Sequence, residues 1–315
     1  MHNARMNYRA IIRDAWSVTQ GNKRLIWWLA FAPSLLSTLV AMGYLSYQAV
    51  AFYTSPYINS HASEDGSAFS MVIDLIKNIF NYSPGLGAFL AILTALVLLT
   101  YLMLPVFTQG GLIKTLARNR EGHPILIREA VSSGFTRFLQ LFEYYTLIRT
   151  FSFISILTEM SFVLRNLGPD AFALFVWILG LALVVGILLS TLFTYSEYFI
   201  VLNKTGVFEG MIASAGMVLR QWHHTLFMFL LMAVIAVRIF INLLVALLIP
   251  GLIVLPIFLF ANITLAGLGV VIGSIAGLIA LYFTSYFLGI FHVFTSAVWT
   301  FTFLELTQAD ESSNN

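Results

Sequence analysis

Arg149 and Arg238 lie deep inside long apolar runs, eleven residues after Phe138 and thirteen after Thr225. At a helical rise of 1.5 Å per residue, they sit about 17 and 20 Å from the start of those runs. A guanidinium at such a depth needs partners, and its planar fork suits carboxylate or phosphate. The carboxylates within reach along the chain are Glu143 and Glu159 on the same run as Arg149, and Glu197 on the next. Offsets of six and ten residues put neither Glu143 nor Glu159 on the helical face of Arg149, so its partners must come mainly from other helices. Glu197 is the nearest candidate for either arginine, and Asn242 shares a face with Arg238 one turn on. Two chemistries fit this set. The polar contacts lock helices together inside a bundle, or they form a site for an anionic substrate or lipid headgroup. Glu197, flanked by Tyr195 and Tyr198, also fits an aromatic belt at a membrane surface.

Other chemistry is excluded by what the chain lacks. It has no cysteine, so disulfides, thiolate metal sites and cysteine nucleophiles are ruled out. No H-E-x-x-H, P-loop or G-x-G-x-x-G is present. Ser274 is in no G-x-S-x-G elbow. His223 and His224, at the start of the run opening at Thr225, read as interfacial anchors, since metal binding would need further ligands. His292 reads as a core histidine, although its near-neutral titration leaves proton transfer open. No catalytic, metal or cofactor set can be assembled from these spacings.

The elements that position these residues follow from composition. Of 315 residues, 59% are hydrophobic and 10% charged, against about 25% charged in soluble domains, and the mean hydropathy is +0.89. The 28 Phe, 13 Tyr and 6 Trp suit lipid-facing helices and interfacial belts. A net charge of +2 is too small to argue for nucleic acid. About 20 apolar residues cross a bilayer. Such runs are Leu25–Tyr47, Gly85–Thr108, Phe138–Leu164, Ala171–Leu202 and Thr225–Ile249, followed by an apolar stretch from Pro250 to Leu306. Arg5, Arg9, Arg13, Lys23, Arg24, Lys114, Arg118, Arg120, Arg128, Arg137, Lys204 and Arg220 fall on one side of these runs, and only Lys77 and Arg165 on the other. The positive-inside rule makes the first side, with the N-terminus, cytoplasmic. The stretch from Pro250 has no Lys or Arg, so charge does not decide whether it crosses once or twice. Pro250, Gly251 and Pro256 should interrupt a helix near its start. Gly269, Gly273 and Gly277 form overlapping GxxxG spacings that let helices pack closely.

A threefold layout recurs. Ile12-Arg13-Asp14-Ala15 is echoed by Ile127-Arg128-Glu129-Ala130 and, more weakly, by Met211–Ala215, each ahead of an apolar run. In the first copy Tyr8, Ile11, Ile12, Ala15 and Trp16 share one face, with Arg9 and Arg13 on another, as in a helix lying at a membrane surface. The pseudo-repeats are about 1–108, 109–203 and 204–306. Three hairpins give six spans, one crossing in the last stretch and both termini cytoplasmic. Met71–Phe80, after the polar loop Tyr53–Ser70, reads first as an external connector, with an interfacial helix on the outer side, a lid or a partner-docking site as the alternatives, and Thr307–Asn315 reads as a loose polar tail.

Gln109-Gly110-Gly111-Leu112-Ile113, with Glu121-Gly122-His123-Pro124 and Ile127-Arg128-Glu129-Ala130, and the later Gly206-Val207-Phe208-Glu209-Gly210-Met211-Ile212-Ala213-Ser214, are the residues that carry a resemblance. In these runs the chain resembles bacterial six-span proteins related to the membrane domain of glycerophosphodiester phosphodiesterases, among them the YciC-like proteins. The resemblance implies a fold and an inner-membrane location. It does not imply phosphodiesterase activity, because that activity belongs to a soluble barrel for which this chain has no room. The expectation is an all-α, polytopic helical membrane protein: a single transmembrane domain over 1–315 of about six helices, with cytoplasmic interfacial amphipathic helices. Its expected role is a scaffold, assembly factor or accessory subunit of a membrane complex, without catalysis or cofactor. Its partners would be the lipid bilayer and protein subunits or further copies of itself. The alternative is a transporter or lipid-handling protein using Arg149, Arg238 and Glu197.

Overall fold

In the computed structural model, which describes residues 6–58, 68–264 and 266–314, the elements are helices, with no strand among the described residues. An amphipathic helix, α1 (Tyr8–Gly21), is capped by Asn7, whose side chain accepts from the Ala10 N–H. A short α2 (Lys23–Leu25) runs through a π-helical segment, Ile26–Phe31, into α3 (Ala32–Tyr53). Then come α4 (Ala68–Tyr82), α5 (Pro84–Arg120), α6 (Ile127–Thr136), α7 (Phe138–Thr150), α8 (Phe153–Asn166) and α9 (Gly168–Leu192). A turn leads to α10 (Ser196–Tyr198) and the π-helical Phe199–Asn203, followed by α11 (Val207–Arg220), α12 (Trp222–Thr264) and α13 (Ala266–Asn314). Among the described residues, five helices are long and apolar enough to cross a membrane, or six if α7 and α8, bent by 41°, count as one span. Of the five runs expected from the sequence, Leu25–Tyr47, Gly85–Thr108 and Thr225–Ile249 lie on such helices, Phe138–Leu164 lies on the bent α7–α8 pair, and Ala171–Leu202 begins on α9 and runs past its end. Met71–Phe80 lies on α4, while most of the loop before it, with Glu64 and Asp65, lies outside the described residues, as does Arg5.

The chain forms two compact units. The first comprises residues 1–38, 108–135 and 216–315. In it, α1 lays Ile11, Ala15 and Thr19 against α13, where all three are fully buried, and sets Trp16 edge-on to Phe294. This i, i+4, i+8 stripe is what an amphipathic helix buries. The π-helical segment also packs on α13, where a Cβ on Gly289 would stand 3.5 Å from the backbone of Ala30 and Phe31. At the end of α5, Gly111 approaches α6 so closely that a Cβ would run into the carbonyl oxygen of Ala130. Helices α12 and α13 form a hairpin: Phe229 packs on Trp299 at 4.9 Å, and the Gln221 amide donates to the Leu306 carbonyl at 3.5 Å.

The second unit comprises residues 39–107 and 136–215. Its centre is the packing of α8 on α9. The break between α7 and α8 falls at Phe151 and Ser152, and Ser152 caps α8 by accepting from the Ser155 N–H at 3.2 Å. Gly186 of α9 fits beneath this break, because any Cβ there would strike the Phe151 carbonyl oxygen.

Three expectations are corrected. The run Ala171–Leu202 is not one long span: α9 ends at Leu192, and side chains take over the carbonyls a helix end leaves open. The Tyr144 hydroxyl donates to the Phe193 carbonyl at 2.8 Å, and Ser214 donates to Leu192 O at 2.8 Å while accepting from the Tyr195 N–H at 3.0 Å. Pro250 and Pro256 do not interrupt the chain: α12 runs through both, and a single helix, α13, follows. In so apolar a segment, a carbonyl outside a helix would find few polar side chains to bond, which favours keeping the helix despite the lost bonds. The expected loose tail is instead the last part of α13, which continues to Asn314. Among the described residues a Cβ on Gly277 would meet nothing within 4 Å, and close glycine contacts occur at Gly111 and Gly186.

Candidate functional site

Of the expected polar set, Glu197 is held in the second unit by Tyr145, a residue outside that set, and Arg149 stands one turn beyond Tyr145 on the same helix. Helix α7 carries Tyr145 and Arg149 one turn apart, and the turn after α9 swings Glu197 toward them. The Tyr145 hydroxyl donates to the Glu197 carboxylate, and Arg149 acts electrostatically on Tyr145. Glu197 is half-buried, whereas Arg149, Glu143 and Glu159 are exposed on their helices. Because the helix breaks at Phe151, an offset counted along one continuous helix does not apply to Glu159. Arg238 and Asn242 belong to the first unit, and both are exposed on α12. Tyr195 and Tyr198, expected in an interfacial belt, are 0% and 2% exposed. Gly269 is buried on α13 and Gly273 half-buried.

The most connected polar clusters involve arginines outside the candidate set. In the first unit, Arg120 ends α5 between α1 and α13, donating to Asp14 at 2.6 Å and to Glu305 at 3.0 Å. Its guanidinium also lies 4.8 Å from the centre of the Phe301 ring. Two residues earlier, Arg118 pairs with Glu129 of α6. Arg120 thus ties the end of α5 to α1 and α13 by two charge-assisted bonds and a ring contact. With about a third of each side chain exposed, solvent screens part of that attraction. Arg120→Gln should lower unfolding stability in detergent by about 1–2 kcal/mol. A double-mutant cycle with Asp14→Asn should return a coupling of about 0.5–1 kcal/mol that shrinks in high salt. A coupling of zero would show that Arg120 does not hold α1.

In the second unit, Arg165 at the end of α8 is 5% exposed and donates to the Gln48 side-chain oxygen of α3. Ser55 donates to the Arg165 carbonyl at 2.8 Å. The ladder extends along both helices, with the Tyr44 hydroxyl 2.6 Å from Thr158 Oγ1. Sequence reasoning placed Arg165 in a loop and passed over Gln48, although Tyr44, Gln48 and Ser55 recur at helical intervals on an otherwise apolar segment. That recurrence was the available signal.

The runs that carry the family resemblance also have packing roles. Gln109 accepts from Ser296 of α13 at 3.3 Å, two residues before the close approach at Gly111. In the later run, Gly206 N–H donates to Glu209 at 3.3 Å, capping α11. A Cβ on Gly210 would stand 3.0 Å from Ile200 and 3.1 Å from Thr205. Lys204 adopts the left-handed φ of 61° that turns the chain before it. At the start of α12, His224 Nδ1 is hydrogen-bonded to the Tyr8 hydroxyl, and desolvation raises the Tyr8 phenol above its ordinary pKa. No group of three or more His, Cys, Asp or Glu that could hold a metal occurs among the described residues. No family model, no curated protein and no solved structure matches this chain.

Proposed function

We propose that this chain is a multi-pass protein of a bacterial inner membrane that works as a scaffold, assembly factor or accessory subunit, without catalysis of its own. In this reading, six spans form three hairpins, each led by a cytoplasmic amphipathic helix (α1, α6 and α11), and both termini are cytoplasmic. The lopsided distribution of Lys and Arg supports the orientation. The resemblance to the six-span YciC-like proteins supports the location.

One observation carries the role. Helix α12 has 43 residues, about 65 Å of axis, and α13 has 49. A bilayer core of about 30 Å, crossed at the steepest common tilt of about 40°, uses only about 26 residues of such a helix. Yet no Lys, Arg, Asp or Glu occurs between Arg238 and Glu305. The charge-free stretch Ile239–Leu304 exceeds what two such crossings use by about 14 residues, and this surplus, too apolar for water, suits a covering protein surface. Arg120 and Arg165, bonded to neighbouring helices, support a structural rather than a substrate-handling use of charge.

Purification in native-lipid particles, with mass spectrometry of co-purifying proteins, tests this. The expected result is a stoichiometric partner, or a second copy, that is lost when the 250–264 segment carries two aspartates. A lone monomer with the hairpin fully protected from protease would overturn the subunit reading. The second reading, lipid handling, draws on the Glu197–Tyr145–Arg149 line.

A further inference from the structure

The first unit contains an open groove of about 770 Å³ between α1 and α12. Its floor is Tyr8, Ile12 and Trp16 on α1, with Phe227 and Leu231 on α12, and its rim carries Arg9 and Arg13. The volume falls in the range of ligand pockets, and the division of its walls is the informative feature. On α1, Tyr8, Ile12 and Trp16 follow at i, i+4 and i+8. Arg9 and Arg13 stand at i+1 and i+5, so one helix presents an apolar strip edged by two guanidinium groups. The two walls are joined by the Tyr8–His224 hydrogen bond and by Tyr8 packing on Phe227 at 4.6 Å.

The charge on the rim is available. Arg9 makes no ion pair among the described residues. Among the described residues, the one ion pair of Arg13 is with its neighbour Asp14, at 3.6 Å with 78% of the arginine side chain exposed, and Asp14 is already held by Arg120 at 2.6 Å. Phe227 and Leu231 are one and two turns into the apolar length of α12. A ligand filling the groove must therefore be anionic at one end and apolar at the other. A soluble anion would leave the floor wet, and a bare hydrocarbon would leave two arginines unmatched.

We propose that this groove binds an anionic phospholipid, with its phosphate held by Arg9 and Arg13 and an acyl chain laid along Trp16, Phe227 and Leu231. Two guanidinium forks one turn apart on a helix suit phosphate oxygens. Aromatic and aliphatic side chains at the edge of a span suit the first part of an acyl chain. The proposal rests on the membrane reading above, and goes beyond it by assigning a ligand class and a site.

The test is native mass spectrometry of the full chain, extracted from the membrane fraction and released from detergent with phosphatidylglycerol or phosphatidylcholine of the same acyl chains. Wild type should retain one phosphatidylglycerol with at least ten-fold preference. Arg9→Gln/Arg13→Gln should abolish that preference, while Arg9→Lys/Arg13→Lys keeps part of it and Lys204→Gln, outside the groove, keeps all of it. Leu231→Trp, which fills the floor but spares both arginines, should weaken retention of phosphatidylglycerol, so the proposal remains testable if the double glutamine variant fails to fold. Equal retention of the two lipids by wild type, or an unchanged preference in the double glutamine variant, overturns the proposal. So does a dimer that is lost in Leu231→Trp without any bound lipid, which would make a second copy the occupant. A chain found in the soluble fraction overturns the membrane reading itself, a failure distinct from a membrane-bound chain that shows no preference.

Discussion

Gly186→Ala should destabilise this protein by about 1–3 kcal/mol, and Gly186→Leu by more, with the loss read as a lowered thermal midpoint in detergent. Gly186 is in mid-helix on α9, where glycine has no conformational advantage and alanine is ordinarily preferred by about 1 kcal/mol. The reason lies across the interface. A Cβ at this position would run into the carbonyl oxygen of Phe151 and come within 3.6 Å of Ile156 Cδ1. The obstructing atom belongs to the backbone at the α7–α8 break, so no side chain can rotate away. Either α9 is pushed off α8 or the capped turn at Ser152 opens. The same helix supplies the control. A Cβ on Gly180 would meet nothing within 4 Å, so Gly180→Ala should be neutral or stabilising by up to about 1 kcal/mol. If Gly186→Ala behaves like Gly180→Ala, the interface beneath the break is not close-packed.

This pair of glycines shows where sequence reading stops. Both occupy one apolar run, and nothing in residue type or spacing separates them. The distinction depends on which face of α9 meets the bend in its neighbour. The apolar runs themselves were legible, because twenty apolar residues have few alternatives to a helix. The internal ends were not. Ala171–Leu202 reads as one run because Phe193, Tyr195, Tyr198 and Phe199 are as apolar as the helix before them. The signal that ends α9 lies in Tyr144 and Ser214, distant in sequence, whose hydroxyls accept the role of cap. For the same reason Glu197 reads from sequence as part of a spanning helix, whereas it is half-buried on the short α10, which brings it to Tyr145.

Arg149 and Arg238 show a similar limit. Counting residues from the start of a run gives height along an axis but not azimuth, and both side chains emerge on exposed faces. Arg165 is the reverse case. Beside a Gly-Pro and outside the apolar core of its run, it looked like a loop residue, yet it is enclosed by the helix that its own run forms. Gly168, with φ of 89°, turns the chain immediately after it, and a Cβ there would stand 2.8 Å from the Tyr57 ring. The tight turn holds the last residues of α8 against α3 instead of leaving them in a loop.

Arg165 is therefore the arginine whose surroundings predict the other large effect, and the order of three variants tests the cause. Its guanidinium donates to Gln48, lies 5.4 Å from the Tyr47 ring centre and 5.8 Å from that of Phe52, and makes no ion pair among the described residues. Amide and ring dipoles, not a counter-ion, carry the charge, assisted by its position in the last turn of α8, where the helix dipole favours a cation. Removing the acceptor is then worse than removing the charge. Gln48→Leu leaves a buried guanidinium without its hydrogen bond and should cost about 3–5 kcal/mol. Arg165→Ala leaves a cavity and an acceptor that retains only Ser161, at 3.4 Å, and should cost about 2–4 kcal/mol. Arg165→Met fills the space without a charge and should cost least, about 1–2 kcal/mol. Thermal midpoints of the three variants in one detergent give the ranking directly. If Arg165→Met is the worst of the three, the charge itself stabilises the junction, and a carboxylate must meet it; if Gln48→Leu is the worst, α3 and α8 are joined by an arginine held on neutral groups alone.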